Sequence, residues 1–182
     1  MALAQTDNPG IPFSTATSRR NLLIAMMLDE LGTRVGELLT IKVTDIDLQA
    51  QEMLIPRRHN EPKCPRPIQP LAKTLDRRLA LSDELTLIIS SNNLKERRTY
   101  PAACRHPFLP IWTRASRAGK AGNPLPQKVV WKMISSLSDG MPDGSKRVHP
   151  HLLRHDAVSR MYRHLLAQGA SEPQMEQLLS LW

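Results

Sequence analysis

Apolar residues recur at helical spacing along most of the chain. From Ser18 they form one face of a first helix, which we expect to end near Gly32. The core-facing positions of this helix are predicted to be Leu22, Leu23, Ala25, Met26, Met27 and Leu31. Further helices are predicted at about 34–39, 82–94, 127–137, 150–167 and 174–181.

The helix predicted at 150–167 has the clearest pattern. Pro150 suits the first position of a helix, because proline's missing N–H group would be unpaired there anyway. Apolar residues then recur every fourth position as a core-facing stripe, namely Leu153, Ala157, Met161 and Leu165. In the helix that follows, Ser171 and Gln174 have the spacing of a capping box.

Between these helices the pattern predicts a small antiparallel sheet. Residues 45–47 are interpreted as a turn, and 52–56 as a strand leading into RRHNEPKCPRPIQP, which is too rich in proline for a central strand. We interpret that segment as a long hairpin loop, followed by pairing segments at 71–73 and 78–81. The predicted fold class is mostly α with a small antiparallel sheet, in one domain over 18–182 after a flexible N-terminal arm, 1–17.

Composition narrows the function. The 182 residues are 41% hydrophobic and 23% charged, as in an ordinary globular protein, but the net charge is +8. This excess favours polyanions, and nucleic acid fits better than a membrane, because no apolar stretch is long enough to cross a bilayer. The N-terminus lacks a signal-peptide pattern, and Cys64 and Cys104 lack metal-ligand spacing. We expect a cytoplasmic protein with free thiols.

The sequence HPHLLRHD, residues 149–156, carries candidate chemistry. On a helix that begins at Pro150, we expect His151, Arg154 and His155 to share one face, roughly opposite the apolar stripe. A helix N-terminus favours anions, so this face is a candidate phosphate pocket. A solvated basic face is the alternative interpretation. A zinc site is less favoured, because HLLRH lacks the glutamate of the metalloprotease motif and Arg154 would repel a cation.

A second motif lies in LGTRVGELLTIKVTDIDL, residues 31–48, where Arg34 follows a glycine-containing helix break. This segment resembles the first conserved box of the tyrosine recombinases, the phage-integrase family, and HPHLLRH resembles the second box. The boxes are in the family's order, and the resemblance covers 18–182. It implies the family's catalytic-domain fold and a function in DNA integration and recombination.

The resemblance also implies roles for single residues. Arg34 and Arg154 match the two arginines that hold the scissile phosphate, and His151 matches the box-two histidine that acts in acid–base chemistry. His155 matches an accompanying histidine that is more often structural. Glu37 matches the acidic position of box one, which supports the arginines. No metal and no cofactor is implied.

The family's catalytic lysine lies on the hairpin after box one, which is lengthened in this chain. Lys73 is the favoured match, because LAKTLDRRLALS resembles the family's Lys-Thr followed by a basic residue and a strand. Arg58 and Lys63 are alternatives. The simpler interpretation of Lys73 is a solvated surface lysine.

The family cleaves DNA with a tyrosine beyond the second box, through a 3′-phosphotyrosyl intermediate. Neither Tyr100 nor Tyr162 matches that position, and Tyr162 is expected to be a packing residue. Trp182 is a candidate for the family's His/Trp position. The family's N-terminal core-binding domain, which clamps DNA, is also expected to be absent.

These departures lead us to expect a recombinase catalytic domain that is inactive alone. It would bind double-stranded DNA together with further recombinase protomers, in a bacterial cytoplasm. The alternative is a non-catalytic DNA-binding remnant of a mobile-element integrase. An RNA-binding module is less favoured, because the sequence offers no aromatic platform for single strands.

Overall fold

A computed structural model of the chain describes residues 15–58, 61–62, 64–70, 75–113, 120–140 and 147–180. The helices are α1 (Thr15–Asp29), α2 (Val35–Thr40), α3 (Asp83–Leu87), α4 (Lys95–Arg97), α5 (Gln127–Ser136), α6 (Pro150–Ala167) and α7 (Glu172–Ser180). The strands are β1 (Ile46–Asp47), β2 (Glu52–Ile55) and β3 (Arg77–Ala80). A π-helical segment, Ile88–Leu94, joins α3 to α4, and 3-10 turns lie at Val43–Asp45, Pro101–Arg105 and Leu137–Gly140. The predicted fold class, mostly α with a small sheet, is confirmed.

Helix α1 begins at Thr15, three residues before the expected start at Ser18. Thr17 is buried, and its hydroxyl lies 2.8 Å from the hydroxyl of Thr113. The boundary predicted for the N-terminal arm is therefore wrong for residues 15–17, which are tied to the body of the domain. The remainder of the predicted arm, 1–14, lies outside the described residues.

Helix α1 is the centre of the core and contacts α2, α3, α5 and α6. Its fully buried residues are Leu23, Ile24, Met27 and Leu28, with Leu31 following the helix. The prediction missed Ile24 and Leu28, while Leu22, Ala25 and Met26 are only partly buried. A helix with neighbours on several sides buries a wider face than a single stripe, which explains the difference.

Gly32 ends the first helical segment as predicted. Its φ is 55°, a left-handed conformation that glycine adopts without steric cost. The Thr33 hydroxyl donates a hydrogen bond of 3.0 Å to the carbonyl of Met27, which would otherwise be unpaired at the helix end. The chain thereby turns at once into α2, whose N-cap is Arg34.

The three strands are antiparallel in the order β1–β2–β3. Ile46 pairs with Met53, and Ile55 pairs with Arg77. Strand β1 replaces the second half of the turn predicted at 45–47. A 3-10 turn, Val43–Asp45, comes directly before β1, and there the Asp45 carboxylate accepts the N–H of Lys42 at 2.7 Å. The turn that joins β1 to β2 comes after the strand, at residues 48–51. Strand β3 begins one residue before the predicted 78–81, and the pairing predicted at 71–73 lies outside the described residues.

The proline-rich segment between β2 and β3 packs on the body of the domain. Lys42 Nζ lies 2.5 Å from a carboxylate oxygen of Glu61. Arg66 donates through Nε to the carbonyl of Leu125 at 2.7 Å and lies 4.7 Å from the centre of the Phe108 ring. The predicted hairpin loop is present, and these contacts anchor it.

Helix α6 begins at Pro150, as predicted, and packs on α1. Only Ala157 of its expected stripe is buried, whereas Leu153, Met161 and Leu165 are half-buried. Helix α7 follows, with Met175 buried and Gln174 accepting the Ser171 N–H at 2.9 Å. No helix in the described part of the chain combines the length and apolar character needed to cross a membrane.

Candidate nucleic-acid interface

A buried carboxylate, that of Glu37 in α2, organises the candidate site. Its side chain has no exposed surface. Arg77 in β3 contacts both of its oxygens, with Nη2–Oε2 at 2.9 Å and Nη1–Oε1 at 3.3 Å. This two-pronged contact is the strong geometry for an arginine–carboxylate pair. Glu37 is therefore fixed from the side of the sheet.

Arg34 contacts the same carboxylate from the other side. Its backbone N–H donates to Oε2 at 2.8 Å, which pairs one of the open donors at the start of α2. Its guanidinium touches Oε1 only through Nη1, at 3.3 Å, and its side chain remains 38% exposed. Glu37 thus holds Arg34 through its backbone and one guanidinium nitrogen, while the Arg34 side chain stays partly exposed; the supporting role implied for Glu37 stays a prediction.

Arg154 reaches this site from α6. Its Nη1 donates to the carbonyl of Gly32, two residues before Arg34. Burial, together with the nearby charges of Arg34 and Arg77, lowers the pKa of Arg154 to about 10, and Glu37 opposes this shift. Arg154 is still a cation at neutral pH, held in a position where another cation is disfavoured.

The expectation that Arg154 faces away from the apolar stripe is wrong. Arg154 lies three residues before the buried Ala157, so the two share a face of α6 that turns toward the rest of the domain. The structure thereby brings Arg154 together with Arg34, from sequence motifs more than one hundred residues apart.

We call Arg34, Glu37, Arg77 and Arg154 the arginine site. It joins three guanidinium groups to one carboxylate, an excess of positive charge at a partly buried position. The other N–H groups of Arg34 and Arg154 have no partner within the described ranges. Open, fixed N–H donors beside a positive excess are suited to binding the oxygens of a phosphate group.

His151 lies one turn before Arg154 on α6 and is exposed. Its ring packs edge-on against Trp131 of α5, with ring centres 5.8 Å apart. His149 caps the helix by accepting the Leu152 N–H on Nδ1 at 3.2 Å, so its neutral ring carries the proton on Nε2. His155 is exposed, and its implied structural role stays a prediction.

Of the three candidates for the hairpin lysine position, the structure describes one. Arg58 donates to both oxygens of Asp45, at 2.5 and 2.6 Å, and to the carbonyl of Thr40. That guanidinium is committed to holding the base of the hairpin. Lys63 and Lys73 lie outside the described residues, so the preference for Lys73 stays a prediction.

Neither tyrosine is in the arginine site. Tyr100 donates its hydroxyl to the carbonyl of Thr113 at 3.0 Å, and burial beside Glu96 raises its pKa. Tyr162 lies about two turns beyond Arg154 on α6 and is 41% exposed, which is more than expected for a packing residue. Trp182 lies outside the described residues.

Sequence reasoning missed Arg77. The signal was its register: Arg77 and Leu79 alternate with the exposed Arg78 and Ala80 along β3, so Arg77 points inward. A buried arginine needs a buried acid, and Glu37 was the acid in the segment that resembles the family's first box. The prediction set this strand one residue late and left Arg77 out of it.

The fold and the arginine site together define a mostly helical domain with three arginines gathered around one buried carboxylate. Comparison with known sequences then identifies its family. Residues 3–170 match the phage integrase family, and the chain belongs to it. The chain is similar to tyrosine recombinase XerC of Bifidobacterium longum strain DJO10A, with 25% identity over 165 residues that cover 91% of this chain and 41% of the relative.

Solved structures support the fold. XerA recombinase superposes with a TM-score of 0.61 at 23% identity, over 91% of this chain and 48% of XerA. XerH recombinase, solved with its difH substrate, gives 0.60 at 19% identity, over 94% of this chain and 45% of XerH. The fold is that of tyrosine-recombinase catalytic domains, and the chain spans about half the length of these relatives or less.

Proposed function

We propose that this chain is the DNA-binding catalytic domain of a site-specific recombinase, in which Arg34 and Arg154 hold the scissile phosphate. The observation that carries this proposal is the pair of partly open guanidinium groups beside a fixed, buried Glu37. Fixed donors need no reorganisation when charge develops on the phosphate oxygens, so they stabilise a transition state better than mobile side chains do.

In the proposed reaction, the two arginines contact the non-bridging oxygens as the phosphorus becomes five-coordinate. His151, exposed one turn before Arg154, is placed for a hydrogen bond to the same phosphate and for proton transfer. Lys73 is assigned from sequence as the group that protonates the leaving 5′-oxygen. A tyrosine hydroxyl gives up its proton to His151 and attacks the phosphorus, while the bond from phosphorus to the 5′-oxygen breaks. The resulting phosphotyrosyl bond keeps the energy for rejoining.

Related proteins support double-stranded DNA as the partner. XerH was solved with its difH substrate, and the Tn1549 transposon integrase with transposon right end DNA. We propose that this chain binds duplex DNA in the same way, alongside further recombinase protomers, in a bacterial cytoplasm and on the nucleoid. Its net charge of +8 favours this partner.

DNA binding and salt dependence test the proposal. Arg34→Gln and Arg154→Gln should each weaken binding to a mixed-sequence duplex by about tenfold at low salt, since each removes a charge-assisted phosphate contact. Log affinity falls as log salt rises, and each variant should make this slope shallower by about 0.9, which corresponds to one lost phosphate contact. Fluorescence anisotropy measures both quantities.

Arg160→Gln is the matched control, because Arg160 lies on the same helix but is paired with Asp29 and Asp156. It should leave the salt slope close to that of the wild type. If Arg34→Gln and Arg154→Gln bind DNA as the control does, the arginine site does not hold a phosphate and the proposal is overturned.

We further propose that the chain by itself binds DNA without cleaving it, because Tyr100 is engaged elsewhere and Tyr162 lies about 12 Å along α6 from Arg154. Because neither tyrosine is placed for attack, a non-catalytic DNA-binding remnant of a mobile-element integrase is the second candidate function. A nicked suicide substrate should give no covalent adduct. A protein–DNA band that survives denaturing electrophoresis and is lost in Tyr162→Phe would contradict this assignment.

A further inference from the structure

Arg77 is the buried member of the arginine site, with a side chain only 2% exposed. It lies too deep to touch DNA, and it comes from β3 rather than from either of the two segments that resemble the family's boxes. Its two guanidinium nitrogens contact both oxygens of Glu37. The direct phosphate contacts proposed above therefore leave Arg77 without a role in the reaction.

Two arginines share the Glu37 carboxylate unequally. Arg77 contacts it through both prongs of its guanidinium, whereas the Arg34 guanidinium has one contact of 3.3 Å. In a site with little water, attraction between a carboxylate and a guanidinium is strong. If Arg77 did not occupy both oxygens, the Arg34 guanidinium, which already touches Oε1, would be drawn fully onto Glu37.

We propose that Arg77 is a positioning residue: by occupying both oxygens of Glu37, it keeps the Arg34 guanidinium turned outward to bind phosphate. This inference rests on the proposed function, since it concerns how the same site is held ready. It assigns Arg77 an effect on DNA binding that is exerted wholly through Glu37 and Arg34.

The salt dependence of DNA binding separates this role from a merely structural one. In Arg77→Met, Glu37 captures Arg34. The slope of log affinity against log salt should therefore become shallower by about 0.9, as though a phosphate contact were lost. A residue that only stabilises the fold would lower the melting temperature and leave the slope of the folded protein unchanged. The probe is a fluorescein-labelled mixed-sequence duplex, titrated where circular dichroism shows each variant folded.

Three further variants complete the design. Arg77→Lys keeps the buried charge but offers one point of contact instead of a fork, so the slope should fall by part of the Arg77→Met effect. The double variant Glu37→Gln/Arg77→Met removes the carboxylate that captures Arg34, so its slope should be steeper than that of Arg77→Met. Arg78→Met, on the exposed side of β3, removes a neighbouring charge and should leave the slope unchanged.

Each outcome decides the matter. A shallower slope in Arg77→Met that becomes steeper again in the double variant supports the inference. If Arg77→Met does not fold, a shallower slope in Arg77→Lys with a steeper slope in the double variant gives the same support. A wild-type slope in Arg77→Lys, or a slope in the double variant no steeper than that of the single variant, overturns it. Should Arg34→Gln itself leave the slope unchanged, the proposed function fails instead.

Discussion

Two arginine-rich regions of this domain use the same side chain for opposite purposes. The arginine site holds Arg34 and Arg154 with open N–H groups around Glu37. A second region, which we call the cap cluster, consists of Arg66, Arg97 and His106 around Phe108. The two regions differ in which acceptors, if any, the guanidinium N–H groups bind.

In the cap cluster the N–H donors of Arg97 are bound to backbone carbonyl oxygens. Arg97 donates to the carbonyl oxygens of Ala103, His106 and Phe108. These bonds hold together the 3-10 turn that contains Ala103 and the segment that follows it. Burial lowers the pKa of Arg97 and of Arg66. At the arginine site, by contrast, the donors left open suit an incoming anion. The partners of an arginine, rather than its burial, distinguish a structural residue from a binding one.

The largest expected effect is that of Arg97→Met on stability. Loss of three hydrogen bonds to carbonyls that stay in place should reduce the free energy of unfolding by about 3 kcal/mol. Urea denaturation measures this loss, with the exposed Arg105→Met as control. The salt slope of DNA binding should not change. A stable Arg97→Met variant that binds DNA poorly would reverse the assignments of the two regions.

A second prediction concerns the pH dependence of stability through His106. Burial lowers the pKa of His106 below its usual value of 6.5, and Arg97 and Arg66 lower it further, against the hydrogen bond to the Gly122 carbonyl. The unfolded chain therefore binds the proton more readily. This contribution to stability is complete above pH 6.5 and is lost as the pH falls toward the folded pKa, by at most about 1.4 kcal/mol per pH unit.

Unfolding measured across this pH range checks the His106 prediction. His106→Gln should remove this part of the pH dependence, whereas the exposed His155→Gln should retain it. Equal pH profiles for the two variants would show that the cap cluster does not disfavour an added charge.

The smallest expected effect distinguishes the regions by their response to anions. Sulfate should stabilise the wild type relative to chloride at matched ionic strength, by about 1 kcal/mol at roughly five times its dissociation constant. Arg154→Gln should lose the gain and Arg97→Met should keep it. The gain should decline as the pH rises through about 10, where Arg154 loses its charge. Thermal unfolding measures the shift; a gain retained in Arg154→Gln would contradict the assignment.

The sequence was sufficient to single out Arg34 and Arg154, which the structure brings together, because each lies in a short motif at the start of a helix. It was not sufficient for their surroundings. Four residues rotate a helix by about 400°, so a stripe of every fourth residue turns by about 40° at each step. The stripe on α6 therefore follows the core only at Ala157 and is half-buried on either side of it. Arg154 faces inward beside Ala157.

Other features depended on pairing over long separations. Glu37 and Arg77 are 40 residues apart, and only their meeting in the fold reveals that they form a pair. Strand β1 has two residues, too few for any alternation to indicate a strand. The Arg58–Asp45 pair likewise closes the hairpin across a separation that no local pattern records.

The base of the hairpin is fastened twice, by Arg58 on Asp45 and by the Arg57 N–H on Asp76 at 2.5 Å. Because these contacts hold the two ends of the hairpin loop, a reporter peptide can be inserted in the loop itself. Doubling the length of such a loop costs only about 0.6 kcal/mol in closure entropy. Ile68 is 85% exposed, and an epitope tag or a dye-labelling sequence inserted between Pro67 and Ile68 should leave the arginine site undisturbed.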